Sequence, residues 1–205
     1  MSTEHVQSNL HSAQRQRTEE RILTDAAALF LDRGYRGTTV RAIAESAGVS
    51  VGRVMAVGDK DALLIACYDR WIAQLQAGTY ALPHARAERP PASAVQDHLL
   101  GIFLPFLEFF AAHEDLARDY AAALIRVHGR PDVFAGLSEA LQASLRDNLV
   151  SIGISEPNAR ASAAALYDSY MGVLFRWAAS DMGFDDAVAA LAHIIAFHTR
   201  FRGAP

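Results

Sequence analysis

TTVRAIAESAGVSVGRVMAVGDKDALL, residues 38–64, is the run on which the reading of this chain turns. Val40, Ile43, Ala44 and Ala47 recur at helical spacing and mark one buried face. Thr39 stands where a hydroxyl can cap that helix by accepting from an otherwise unpaired backbone N–H. Gly48 falls where the chain must turn, and glycine reaches positive φ without steric cost. Val49 follows as a core plug and Ser50 as a second cap, with Val54 and Val57 facing inward on a second short helix. Val51, Gly52, Arg53, Met55 and Ala56 are left for the outer side, and bare Gly52 lets backbone approach a phosphate closely. Two short helices about a tight turn form the helix-turn-helix layout, which lays its second helix in the major groove of duplex DNA.

Working outward, residues 17–33 carry Ile22, Ala26, Leu29 and Phe30 on one stripe, and Gly34 stands just past the end of that helix. The three helices make a small head with its own core. Its expected DNA-facing set is Thr38, Thr39, Arg41, Ser50, Val51, Gly52, Arg53, Met55, Ala56 and Lys60. Arg53 suits a bidentate contact to guanine, and Thr39 and Ser50 are neutral donors for phosphates. The organisation expected is a flexible arm over 1–14, a DNA-binding domain over 15–60, and a dimerisation and effector-binding domain over 61–205.

These motifs resemble the tetracycline-repressor (TetR) family of transcriptional regulators. The resemblance runs from about Thr18 to Leu64, through Phe30, Arg33-Gly34-Tyr35, Thr38-Thr39-Val40, Ile43-Ala44, Ala47-Gly48-Val49-Ser50, and Lys60 ahead of Leu63. Beyond Leu64 the chain is similar to the family only in length and helical content. The resemblance implies an all-α fold, a homodimer, a small effector bound inside the body, and Lys60, the chain's one lysine, as a phosphate contact. One departure stands out. Where the family carries a Tyr and an aromatic anchor through its recognition helix and the next turn, this chain has Arg53-Val54-Met55-Ala56-Val57-Gly58-Asp59, one residue shorter.

Charge is divided unevenly along the 205 residues. The formal net charge is −4, yet residues 15–60 hold eight basic and six acidic side chains, and the chain beyond holds eleven and sixteen. A mildly basic head on an acidic body fits contact with DNA through one end. Cys67 is the single cysteine, which excludes an intrachain disulfide and fits a cytoplasmic protein; a buried spectator thiol is expected. Residues 1–14 are polar and unlike a signal peptide, and no apolar run is read as approaching the roughly 20 residues of a membrane span.

Past Lys60 the pattern stays helical, for about nine helices in all, with a proline-bounded loop at 83–91. The last two helices are apolar on more than one side, which calls for burial on both. Two such helices from each of two chains give a four-helix interface, here expected at Ala161, Ala165, Val173, Val188, Leu191, Ile194, Ile195, Phe197 and Phe201. A two-fold dimer presents two recognition helices to a pseudo-palindromic double-stranded operator. Phe103, Phe106, Leu107, Phe110, Tyr120, Leu124, Tyr167, Tyr170, Met171, Leu174 and Trp177 are the candidate walls of a site for a small hydrophobic or aromatic effector. Glu108, Arg126, Asp168 and Arg176 are its candidate polar anchors.

Catalytic chemistry finds no footing. His193 and His198 are five apart, off a shared helix face, and the chain has no Gly-rich phosphate loop, GxSxG elbow or CxxC pair. No metal, cofactor or membrane is expected. The reading is a DNA-binding transcriptional regulator, a repressor released from its operator by its effector. The alternative is a helical ligand-sensing or partner-binding protein whose head no longer reads DNA, which the altered residues 53–57 motivate.

Overall fold

The computed structural model describes residues 3–80, 94–127 and 131–199, with the backbone alone for 3–11, 94 and 131–137. Among the described residues there are nine α-helices and no strand. They are α1 (Thr3–Gly37), α2 (Val40–Ser46), α3 (Val51–Met55), α4 (Lys60–Gln76), α5 (Ala94–Ala112), α6 (Glu114–Arg126), α7 (Pro131–Ser151), α8 (Glu156–Ala179) and α9 (Phe184–Thr199). The expected loop at 83–91 and the interface residue Phe201 lie outside the described residues.

Two compact units are formed, Met1–Arg70 with Ala122–His128, and Trp71–Ala121 with Gly129–Pro205. The boundary expected after residue 60 therefore moves into α4, and the end of α6 joins the first unit. Side-chain chemistry accounts for both changes. The Cys67 thiol on α4 donates to the Leu23 carbonyl of α1 at 3.6 Å. Arg126, at the end of α6, makes two bonds to the Asp61 carboxylate. The backbone is helical from Thr3, where an arm was expected. Residues 12–17 are Ser-Ala-Gln-Arg-Gln-Arg, mostly good helix formers, and no glycine or proline interrupts the chain before Gly34. Gly34 itself, at φ 67°, breaks the helical geometry as the sequence indicates.

Ile22, Ala26, Phe30, Ile43, Ala44, Ala47 and Val54 form the core of the first unit, joined by Leu63, Leu64, Cys67 and Tyr68 of α4. Leu29, Val40, Val49 and Val57, expected on the inward faces, are half-buried. In the second unit α5 packs on α9 and α7, and α8 packs on α7 and α9. Val95–Ala112 is 18 residues long and apolar enough by length and composition to cross a membrane, contrary to the expectation that no run comes near. Its apolarity has a different cause: Leu99, Leu100, Phe103, Leu104, Phe106, Leu107, Phe109 and Phe110 are all core residues of the unit.

Candidate nucleic-acid interface and effector cavity

The reading head is assembled by two caps and a glycine. Thr39 is extended at φ −119°, and its hydroxyl accepts from the Ala42 N–H at 3.1 Å. Ser50 does the same for α3, accepting from the Arg53 N–H at 3.2 Å. Between them Gly48 takes φ +60°, the left-handed region that costs a side-chain-bearing residue about 1 kcal/mol or more. Val54 is completely buried, whereas Val51, Gly52, Arg53, Met55 and Ala56 are exposed. The face of α3 expected to meet DNA is thus the face turned to solvent.

Thr38 is the exception in the expected set. It is completely buried, and its hydroxyl lies at 3.0 and 2.8 Å from the carbonyls of Leu29 and Gly34, the two acceptors open to its single proton. It ties the end of the α1 helix to the start of α2 and has no surface to offer DNA. Arg41 is exposed but paired with Glu45 at 3.1 Å, one turn along α2. Lys60 Nζ sits 4.0 Å above the centre of the Tyr35 ring, a cation–π contact at the head of α4.

Around Tyr35 a polar cluster forms that the sequence did not disclose. Tyr35 donates to the Asp61 carboxylate, which also receives Arg126 Nε at 2.7 Å and Nη2 at 2.8 Å. The Arg126 hydrogen bonds hold the Asp61 carboxyl below the ordinary carboxylate range. Burial, and donation to an anion, push the Tyr35 phenol up to about 12. Arg126 was a candidate effector anchor; it is committed to Asp61 instead. A separation of 65 positions between the partners hid the pair from any pattern of local spacing.

The turn after α3 is a close one. Asp59 Oδ1 accepts from the Ala62 N–H at 2.8 Å and caps α4. A Cβ on Gly58 would stand 2.8 Å from the Ala62 Cβ, so only glycine fits. Small residues therefore close the space beside the turn, which carries no aromatic.

The second unit contains a cavity of about 60 Å³ lined by Ile72, Gln76, Phe106, Phe110, Tyr120, Ser138, Leu141, Tyr167, Tyr170, Met171 and Leu174. Seven of the expected wall residues are there. Phe103, Leu107, Leu124 and Trp177 are not; Phe103, Leu107 and Trp177 are core side chains and Leu124 is half-buried. Glu108, Asp168 and Arg176 do not line it either. Ile72, Gln76, Ser138 and Leu141 were missed, because their helical spacing alone resembles an ordinary packed face. Among the described residues no charged side chain lines the cavity. Burial raises the Tyr170 phenol well above its ordinary value, and burial also raises Tyr167, against which a hydrogen bond with Ser138 acts. The polar groups are thus neutral hydrogen-bonding tips on apolar walls, a lining suited to an uncharged guest.

Of the expected interface residues, Val173, Val188, Leu191 and Ile195 are buried within the single chain. The packing of α9 on α5 and α8 already covers them. Phe197 remains 57% exposed, Ala161 is exposed, and Ala165 and Ile194 are half-buried. The Cys67 thiol is buried and pushed up to about 12 by that burial, so it is a spectator.

A head with an outward second helix, capped at both short helices, has the helix-turn-helix arrangement of transcriptional regulators. Comparison with known proteins agrees. Residues 22–67 match the family described as bacterial regulatory proteins, tetR family, and this N-terminal segment is a domain of that kind. No curated protein matches the sequence. Among solved structures, a TetR transcriptional regulator from Rhodococcus sp. RHA1 is similar at TM-score 0.67 and 14% identity, over 92% of this chain and 99% of that one. FadR of Thermus thermophilus, a TetR-family repressor solved with lauroyl-CoA, is similar at TM-score 0.63 and 23% identity, over 91% and 97%. A TetR regulator from Streptomyces coelicolor follows at TM-score 0.60 and 19% identity, over 90% and 98%. These likenesses show a shared fold along nearly the whole chain.

Proposed function

We propose that this regulator is a homodimeric repressor that binds a pseudo-palindromic operator and leaves it when a small, uncharged, hydrophobic effector enters the second unit. The observation that carries the DNA reading is the division of α3, with Val54 wholly inside and Val51, Gly52, Arg53, Met55 and Ala56 outside. Thr39 and Ser50 stand at the starts of α2 and α3, where backbone N–H groups and hydroxyls can meet phosphates. Dimerisation uses the α8 and α9 surface left uncovered in one chain, Ala161, Ala165, Ile194 and Phe197. Gly172, with open space above it, allows close approach of a partner helix.

Effector class follows from the cavity lining. An acyl-CoA, the ligand of the Thermus thermophilus structure, carries phosphates that need cationic partners, and among the described residues none lines this cavity. About 60 Å³ is smaller than the roughly 150 Å³ cavity that accepts benzene, so the walls must part to admit a guest. Differential affinity for parted and closed walls is then the free energy available to shift the heads. Helix α6 carries both Tyr120 of the cavity and Arg126 of the Asp61 cluster, a covalent route for that shift.

A mobility-shift assay on the DNA flanking the coding region, run at several salt concentrations, tests the reading. Specific binding with a steep salt dependence, abolished by an uncharged aromatic compound that also raises the melting temperature, is the expected result. Binding of such a compound with no effect on operator affinity would remove the coupling. Absence of any sequence preference would favour a ligand sensor whose head no longer reads DNA.

A further inference from the structure

Helix α3 spans five residues and carries a single cation, Arg53, and no aromatic. Several other basic groups of the head are engaged: Arg41 with Glu45, Arg33 with Asp32, Arg126 with Asp61, and Lys60 on the Tyr35 ring. Against that background a groove of about 340 Å³ opens between α1 and α3, lined by Arg15, Glu19, Arg53, Ala56 and Val57. Among the described residues neither Arg15 nor Arg53 has an ion-pair partner, although the Glu19 carboxylate lines the same groove. Ala56 and Val57 are small, so their side of the groove leaves room for a bulky anion.

We infer that Arg15 and Arg53 form a two-guanidinium clamp for one backbone phosphate of the operator, seated in the groove between α1 and α3. The inference rests on the DNA-binding reading and adds a contact outside the helix-turn-helix. Guanidinium donors match phosphate oxygens in geometry as well as charge. The clamp depends on α1 continuing as helix upstream of residue 17, which places Arg15 one turn before Glu19 on the side facing α3. Arg17, about 200° further round the helix at 100° per residue, faces away. Glu19 repels the incoming phosphate and sets the affinity of the clamp below its limit. Because a phosphate carries no sequence information, the contact strengthens binding to every duplex alike.

Full-length protein and fluorescence anisotropy, on the operator duplex and an unrelated duplex across a salt series, provide the test. Arg15→Ala is expected to weaken both duplexes by the same factor and make the log–log salt slope shallower by about two, one for each head of the dimer. Arg53→Ala should do likewise, and the double variant should lose less than the product of the two single losses. Glu19→Gln should tighten both duplexes, and Arg17→Ala should lose less than Arg15→Ala; far-ultraviolet circular dichroism checks that each variant is folded. A folded Arg15→Ala with unchanged affinity and slope, beside a wild type that binds, overturns the clamp alone. Loss of base preference in Arg53→Ala, with the slope unchanged, makes Arg53 a base reader and also overturns it. A wild type that binds no duplex overturns the DNA reading, and the clamp with it.

Discussion

At the scale of single residues, the Gly58–Ala62 contact shows what the short turn after α3 demands. Substituting Gly58→Ala brings two methyl groups to 2.8 Å, and the Ala62 methyl is fixed directly to the α4 backbone, which limits its retreat. Urea unfolding should register a loss of about 1–3 kcal/mol. In Gly58→Ala/Ala62→Gly much of that loss should return, less about 1 kcal/mol for a glycine within α4. A cycle in which the second change adds its full cost would show that the contact is not the cause. Asp61 sets a pH dependence whose sign is fixed by its lowered pKa. The stabilisation is fully present above about pH 4, the unfolded value, and is lost as pH falls through the lower folded value. The pair is half-exposed on the Arg126 side, so about 1 kcal/mol is the expected size. Asp61→Asn should flatten stability between pH 5 and 2 by about that amount; an unaltered profile would mean the pair contributes nothing in solution.

For the elements, the caps decide whether two helices of seven and five residues persist at all. Helices this short have no stability of their own in water. Thr39→Ala and Ser50→Ala should each cost about 1 kcal/mol, read as a lowered melting temperature. Ser50→Ala should also weaken DNA binding more than its stability loss explains, because α3 frays at the end that meets the groove. Equal losses in stability and no change in affinity would make Ser50 a cap and nothing more. Both caps were legible in the sequence, since each hydroxyl directly precedes an apolar run of helical period. The length of α1 was less so, because its first turns are mostly polar and carry only Val6, Leu10 and Ala13 at helical spacing.

For the whole molecule, assembly is the decisive property. Sedimentation should give a dimer, and Phe197→Glu should shift it towards the protomer with helicity intact. A protomer already in the wild type would remove the paired-head geometry on which operator spacing depends. Effector capture is tested separately by Leu174→Trp, which fills the cavity wall and should abolish the thermal shift given by an uncharged aromatic compound. Operator binding without effector should survive that change.

What the sequence determined by itself was local: the helix periods, the two hydroxyl caps, the glycine turn at Gly48, and the solvent face of α3. Each rests on residues within a few positions of one another, where spacing translates directly into geometry. Only the tertiary structure decided the rest, because long-range contacts leave no period. It withdrew Thr38 into the core, gave Arg126 to Asp61, covered Val173, Val188, Leu191 and Ile195 within one chain, and set Arg15 beside Arg53. Aromatic side chains at helical spacing read alike whether they fill a core or line a cavity, and only packing separates Phe103 from Phe106.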